Sequence, residues 1–118
     1  MTAVAAAVAY GLLAAAAGFQ AALALGAPWG RYAYGGRAPA EDGRLPVRLR
    51  VASAGTVFVL GVAAGTVHAD STPWAWAFTA VFAVNTVANL AGTHAVERWG
   101  MSAATVTLAG AFLTLGLT

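Results

Sequence analysis

The chain contains no cysteine. Disulfides, thiol redox chemistry, thiolate-bound metals and cysteine-held iron–sulfur clusters are therefore excluded. Lysine is missing as well, and all six basic side chains are arginines. Beside the heavy alanine and glycine load, that looks like the codon usage of a GC-rich genome. Charged residues make up 8% of the sequence, against about 25% in soluble domains. The net charge of +2 is too small and too scattered for a nucleic-acid surface. No Asp-rich metal motif or cofactor-binding motif is present, so neither a metal nor a cofactor is expected.

What the sequence does have is apolar bulk. Hydrophobic residues are 60% of its 118 positions. A small soluble fold exposes too much of its area to hide that much apolar surface, so lipid is the natural solvent. The N-terminal apolar run has no basic region before it and no A-x-A site after it. It reads as a retained span, not a signal peptide.

A bilayer core about 30 Å thick needs roughly 20 apolar helical residues. Four segments fit: about Thr2–Leu25, Leu49–Val67, Pro73–Ala91 and Gly100–Leu117. Gly26 and Pro28 break the first, and Pro73 opens the third at a position helices tolerate. The expected architecture is all-α: one domain, residues 1–118, forming a four-transmembrane-helix bundle. Arg31, Arg37, Arg44, Arg48 and Arg50 fall in the first connection and Arg98 in the third. None lies in the second connection or at either end. The positive-inside rule then puts the first and third connections in the cytoplasm and both termini outside, in a multi-pass plasma-membrane protein. Trp29, Tyr32, Tyr34 and Trp99 would form an inner aromatic belt, and Trp74 and Trp76 an outer one.

Helices in lipid associate through close backbone approach. Gly61 and Gly65 form a GxxxG pair, and Gly11–Ala15 and Ala14–Gly18 repeat the spacing. Packing within one bundle and a dimer seam are both open; the short connections favour the former, and a homodimer stays plausible.

The third segment ends "NTVANLAGTHAVERW". Asn85 and Asn89 are four residues apart, so they share a helix face. At 1.5 Å per residue, Gln20 and Ser53 reach a similar depth, about 5–12 Å below the cytoplasmic interface. An amide left unsatisfied in hydrocarbon costs several kcal/mol, so these groups should face each other or a wet cavity. The cluster is either helix–helix glue or a pocket. Glu97 is the acid nearest to it. Its plainer role is to favour the N-terminus of the fourth helix, and its sharper one is acid–base chemistry. His94, three residues earlier, could share a proton with it or help hold a metal, although two ligands alone make no metal site. His94 and His68 lie at opposite ends of the bilayer, too far apart to clamp one haem. In "GAPWGRYAYGGR" and "LPVRLR", Arg31 and Arg50 are candidates for gripping a lipid headgroup, with topology and anchoring as the plainer reading.

Known small-membrane-protein families fit poorly. Small multidrug transporters need a carboxylate in the first helix, where this chain has Gln20. Through "LALGAPWGRYAYGG", "LPVRLRVAS" and "NTVANLAGTHAVERWG", and near-matching span lengths, the chain resembles a group of small four-span membrane proteins from high-GC actinobacteria. The resemblance implies the architecture and transfers no catalytic residue. Three functions follow as expectations. The first is a non-catalytic module binding a partner, itself or a membrane lipid. The second is an isomerase- or cyclase-type enzyme acting on a lipophilic small molecule with Glu97, Asn85 and Asn89. The third is a dimeric small-solute carrier or channel.

Overall fold

The computed structural model describes residues 2–33 and 43–117. Tyr34 and Arg37 of the first connection lie outside the described residues, as does the side chain of Arg31. The described chain is helical, with no strand among its elements. Helices α1 (Ala3–Ala24), α2 (Val47–Ala69), α3 (Thr72–Leu90) and α4 (Ser102–Leu117) match the four apolar segments. A 3-10 turn, Gly30–Tyr32, sits in the first connection, and a π-helical turn, Val96–Met101, runs directly into α4.

Local chemistry sets the ends. Thr2 caps α1 by accepting a hydrogen bond from the Ala5 amide at 3.1 Å. Gly26, at φ 96°, ends that helix in a backbone region that side chains disfavour. Pro46 leads into α2, and Asp70, in the left-handed region at φ 56°, closes it. Proline in the first turn of α3 starts the next helix almost at once.

Two boundaries differ from the sequence reading. Arg48 and Arg50 belong to the first turn of α2, because the helix begins directly after Pro46. The third connection is also shorter, because residues from Val96 onward are already helical. Helices α1 and α2 and the continuous stretch Val96–Leu117 are each long and apolar enough to cross a membrane. Helix α3 is not among them; two asparagines within its last six residues lower its hydropathy. The molecule measures 45 × 23 × 21 Å, and its long axis matches a bilayer with its headgroups, about 40–45 Å.

Helix α1 packs mainly on α2 and α3 mainly on α4, giving two hairpins that touch each other less extensively. At the end carrying the α2–α3 turn they meet through a core of Leu13, Leu60, Val67, Phe78, Phe82, Phe112 and Leu115. Phe78, Phe82 and Phe112 pack ring to ring, with centroids 5.5–6.1 Å apart. At the other end, Leu23, Ala33 and Leu45 seat the first connection, with Trp29 stacked on Phe19 at 6.2 Å. That connection is closed at its base by the Gly30 amide donating to the Gly43 carbonyl at 2.8 Å.

The GxxxG pair does not serve packing within the bundle. Gly61 and Gly65 are exposed, and a Cβ on either would meet nothing within 4 Å. Gly11 and Gly18 of α1 are equally open. The buried faces of α1 and α2 carry Ala9, Leu13, Leu60 and Ala63 instead.

Candidate functional site: a polar-ended cavity between the hairpins

The loose meeting of the hairpins leaves a cavity of about 530 Å³ at the end carrying the first and third connections. All four helices contribute to it. Leu12, Ala16, Leu60, Phe82 and Leu108 supply an apolar wall. Gln20, Tyr32, Thr56, Asn85, Asn89, Glu97 and Thr105 supply the polar groups. Sites of 300–1,000 Å³ with an apolar lining and a few placed polar groups are typical of small-molecule binding.

The structure therefore brings together four residues singled out from sequence: Gln20, Asn85, Asn89 and Glu97. The two asparagines share a face, as their spacing requires, yet they have different surroundings. Asn89 is half-buried and donates from Nδ2 to Thr105 Oγ1 at 3.4 Å. Thr86 Oγ1 donates to the same oxygen at 2.8 Å. These bonds tie α3 to α4. Asn85, one turn earlier, is exposed on the cavity wall. Gln20 Oε1 is buried and accepts no hydrogen bond among the described residues; the Ser102 hydroxyl, off the cavity wall, is in the same position. A buried acceptor without a donor costs about 1–3 kcal/mol.

Glu97 lies within the π-helical turn, only 3% exposed. A π turn carries i→i+5 bonds, rotates side chains off the regular helical register and recurs at functional sites. Here it puts the carboxylate on the cavity wall and against Gly92, where a Cβ would collide with it. The next residue, Arg98, turns away and donates from Nε and Nη2 to the Gly92 carbonyl at 3.2 and 3.1 Å.

Three other candidates are placed elsewhere. Ser53 is fully buried in α2, off the cavity wall. Arg50 donates from Nε to the Ala24 carbonyl at 3.1 Å, and its guanidinium covers Gly26, so it holds the end of α1. His94 does not line the cavity. Its Nδ1 accepts from the Val96 amide at 3.2 Å, and its ring meets Tyr32 edge-on at 4.6 Å. Arg31 falls on the 3-10 turn, with its side chain outside the described residues. Among the described residues no three of His, Asp and Glu gather as metal ligands would need to.

Sequence reasoning missed Tyr32 and Thr105. Tyr32 was read as a belt residue, and its cavity position depends on how the first connection folds back. Thr105 was legible in principle: it lies one turn from Met101 and three residues before Leu108, on one helical face.

No family model, curated protein or solved structure matches the chain.

Proposed function

We propose that the protein is a four-span, non-catalytic module of the plasma membrane that holds one lipophilic molecule between its hairpins. In this reading α3 also spans, drawn across by its neighbours, and both termini face outward. Three apolar helices and a length matched to the bilayer support the membrane setting. The arginine asymmetry supports the orientation. The small, outward Gly61–Gly65 face suits close approach of a second copy.

One observation carries the binding role: the polar side chains of Gln20, Asn85, Asn89 and Glu97 border an apolar cavity of about 530 Å³, and Asn85 is exposed on its wall. A purely structural cluster would close on itself, as Asn89, Thr105 and Thr86 do. A carrier would need a polar path onward, where Phe78, Phe82 and Phe112 fill the opposite end.

The test is extraction of the protein, purified in mild detergent, with organic solvent, followed by mass spectrometry. A lipophile should co-purify with the wild type and be lost from Ala16→Phe or Ala104→Phe, which fill the cavity from different walls. Equal lipid profiles in all three would overturn the reading.

A second reading has its own observation. Glu97 is a buried carboxylate on the cavity wall, where a general acid or base for an isomerisation or cyclisation would stand. Turnover of the extracted lipophile by the wild type and not by Glu97→Gln would establish it.

A further inference from the structure

We infer that the lipophile reaches the cavity sideways from the cytoplasmic leaflet, through the seam between α2 and α3. The inference rests on the cavity being a lipophile site and adds the source of its ligand: the bilayer, not the cytosol.

Helical geometry locates the seam. Successive residues turn by about 100° around a helix. Thr86 and Asn89 look toward α4, since both bond to Thr105. Asn85 is one step back from Thr86, and Ala88 one step back from Asn89. Both therefore lie on the edge of α3 farther from α4. Both line the cavity and both are exposed. On α2, Arg50 marks the side next to α1, because its Nε reaches the Ala24 carbonyl. Thr56 stands about 120° round the helix from Arg50 and lines the cavity too, so it occupies the α3 side of the wall. Thr56 and Asn85 are each about 21 Å from the α2–α3 turn along their helices, and they flank the gap at one depth. Of the neighbouring helix pairs, α2 and α3 touch least.

The other ways in are more closed. At the cytoplasmic end Tyr32, from the first connection, lies on the cavity wall and meets His94, from the third, at 4.6 Å. The two hairpins join there. At the far end the rings of Phe78, Phe82 and Phe112 fill the bundle. Between α1 and α4, Ala16 and Ala111 are packed against the core; Ala15 is exposed on that side and marks the rival route. The α2–α3 seam also suits passage chemically. Its Thr56 hydroxyl is already bonded to the Ala52 carbonyl at 2.9 Å, which leaves the exposed Asn85 amide as its polar group. A polar end drawn from the headgroups into hydrocarbon loses its hydrogen bonds. An amide, both donor and acceptor, replaces them at the entrance.

The experiment uses the full chain in nanodiscs, with a diazirine analogue of dodecanol as probe. Val59, one turn after Thr56, and Val81, two turns before Ala88, lie on the seam's edges, exposed and off the cavity wall. Val59→Cys with Val81→Cys supplies the only two thiols, to be bridged by reducible bis-thiosulfonate linkers of increasing length. The probe is added after bridging and photolysed, and its sites are mapped by peptide mass spectrometry. Without a bridge, label is expected on Leu60, Phe82 or Leu108, which are buried on the cavity wall. With the bridge that label should be lost, and reduction should restore it. Undiminished label behind the bridge, or thiols that no linker joins, overturns the seam while labelled cavity residues keep the lipophile site. No label on those residues even without a bridge overturns both. A second measurement needs no bridge and stands if the double variant folds poorly. A bimane on Ala88→Cys should be quenched by phospholipid brominated along its acyl chains and not by aqueous iodide. Quenching by iodide alone would turn the opening toward water and overturn the inference.

Discussion

The carboxylate of Glu97 rests directly on the backbone of Gly92: a Cβ at position 92 would collide with Oε1 and lie 2.9 Å from Cδ. Arg98 holds the same glycine from its other side, through the carbonyl. Consecutive residues of the π-helical turn thus grip the end of α3, one by contact and one by hydrogen bonds. Overpacking a tight site costs about 1–3 kcal/mol. Gly92→Ala should therefore lower the thermal unfolding midpoint in detergent. In a Glu97→Ala background the same change should cost much less, since the obstructing carboxylate is gone. Equal costs in both backgrounds would place the obstruction at the Asn89 carbonyl, 3.0 Å from the same Cβ, and remove Glu97 from the contact.

The two asparagines should separate on mutation. Asn89 and Thr86 converge on Thr105, so Thr105→Val removes an interhelical polar contact. Such contacts in membrane bundles are worth about 0.6 kcal/mol on average and about 1.7 at most. Asn85→Leu, on an exposed wall position, should change stability by less than about 0.5 kcal/mol while reducing ligand retention. Unfolding in SDS–detergent mixtures measures the first effect, and solvent extraction of the purified protein measures the second. A stability loss for Asn85→Leu equal to that of Thr105→Val would make both amides packing elements and leave the cavity without its exposed polar wall.

Arg50 is predicted to act on the fold and not on ligand. Its Nε hydrogen bond to the Ala24 carbonyl satisfies an orphan acceptor at the end of α1. Arg50→Ala should cost about 1 kcal/mol. Gly26→Ala should also destabilise. It forces a side chain into φ 96° and sets a Cβ 3.2 Å from Arg50 Nη2. Limited proteolysis at the end of α1 would reveal both changes as faster cleavage. Unchanged stability in Arg50→Ala, with loss of bound anionic lipid, would restore the headgroup role suggested by the sequence.

Much of the helical frame was legible because apolar runs bounded by glycine and proline leave the backbone few alternatives in lipid. The Asn85–Asn89 face followed from helical spacing alone. Spacing also showed that Gly61 and Gly65 share a face, but it cannot say which way that face looks, and they look outward. Ser53 has the right depth and the wrong azimuth, for the same reason. The inward turn of Glu97 was the least legible feature. "VERW" carries loop-like polarity in sequence, and only the π-helical turn brings its carboxylate inside while leaving Arg98 exposed.

The orientation makes the last prediction, and the absence of cysteine makes it simple to test, since any cysteine introduced is the sole thiol. Ser71, at the α2–α3 turn, and Thr93, after α3, lie at opposite ends of α3. With arginines held on the cytoplasmic side, Ser71→Cys in intact cells should react with a membrane-impermeant maleimide. Thr93→Cys, which is exposed in the fold, should react only after the membrane is opened. The reverse pattern would invert the protein and move the cavity to the outer leaflet. Labelling of both sites in intact cells would mean that α3 does not cross. The asparagines that lower its hydropathy would then keep that helix at the surface, and the cavity would open to water instead of lipid.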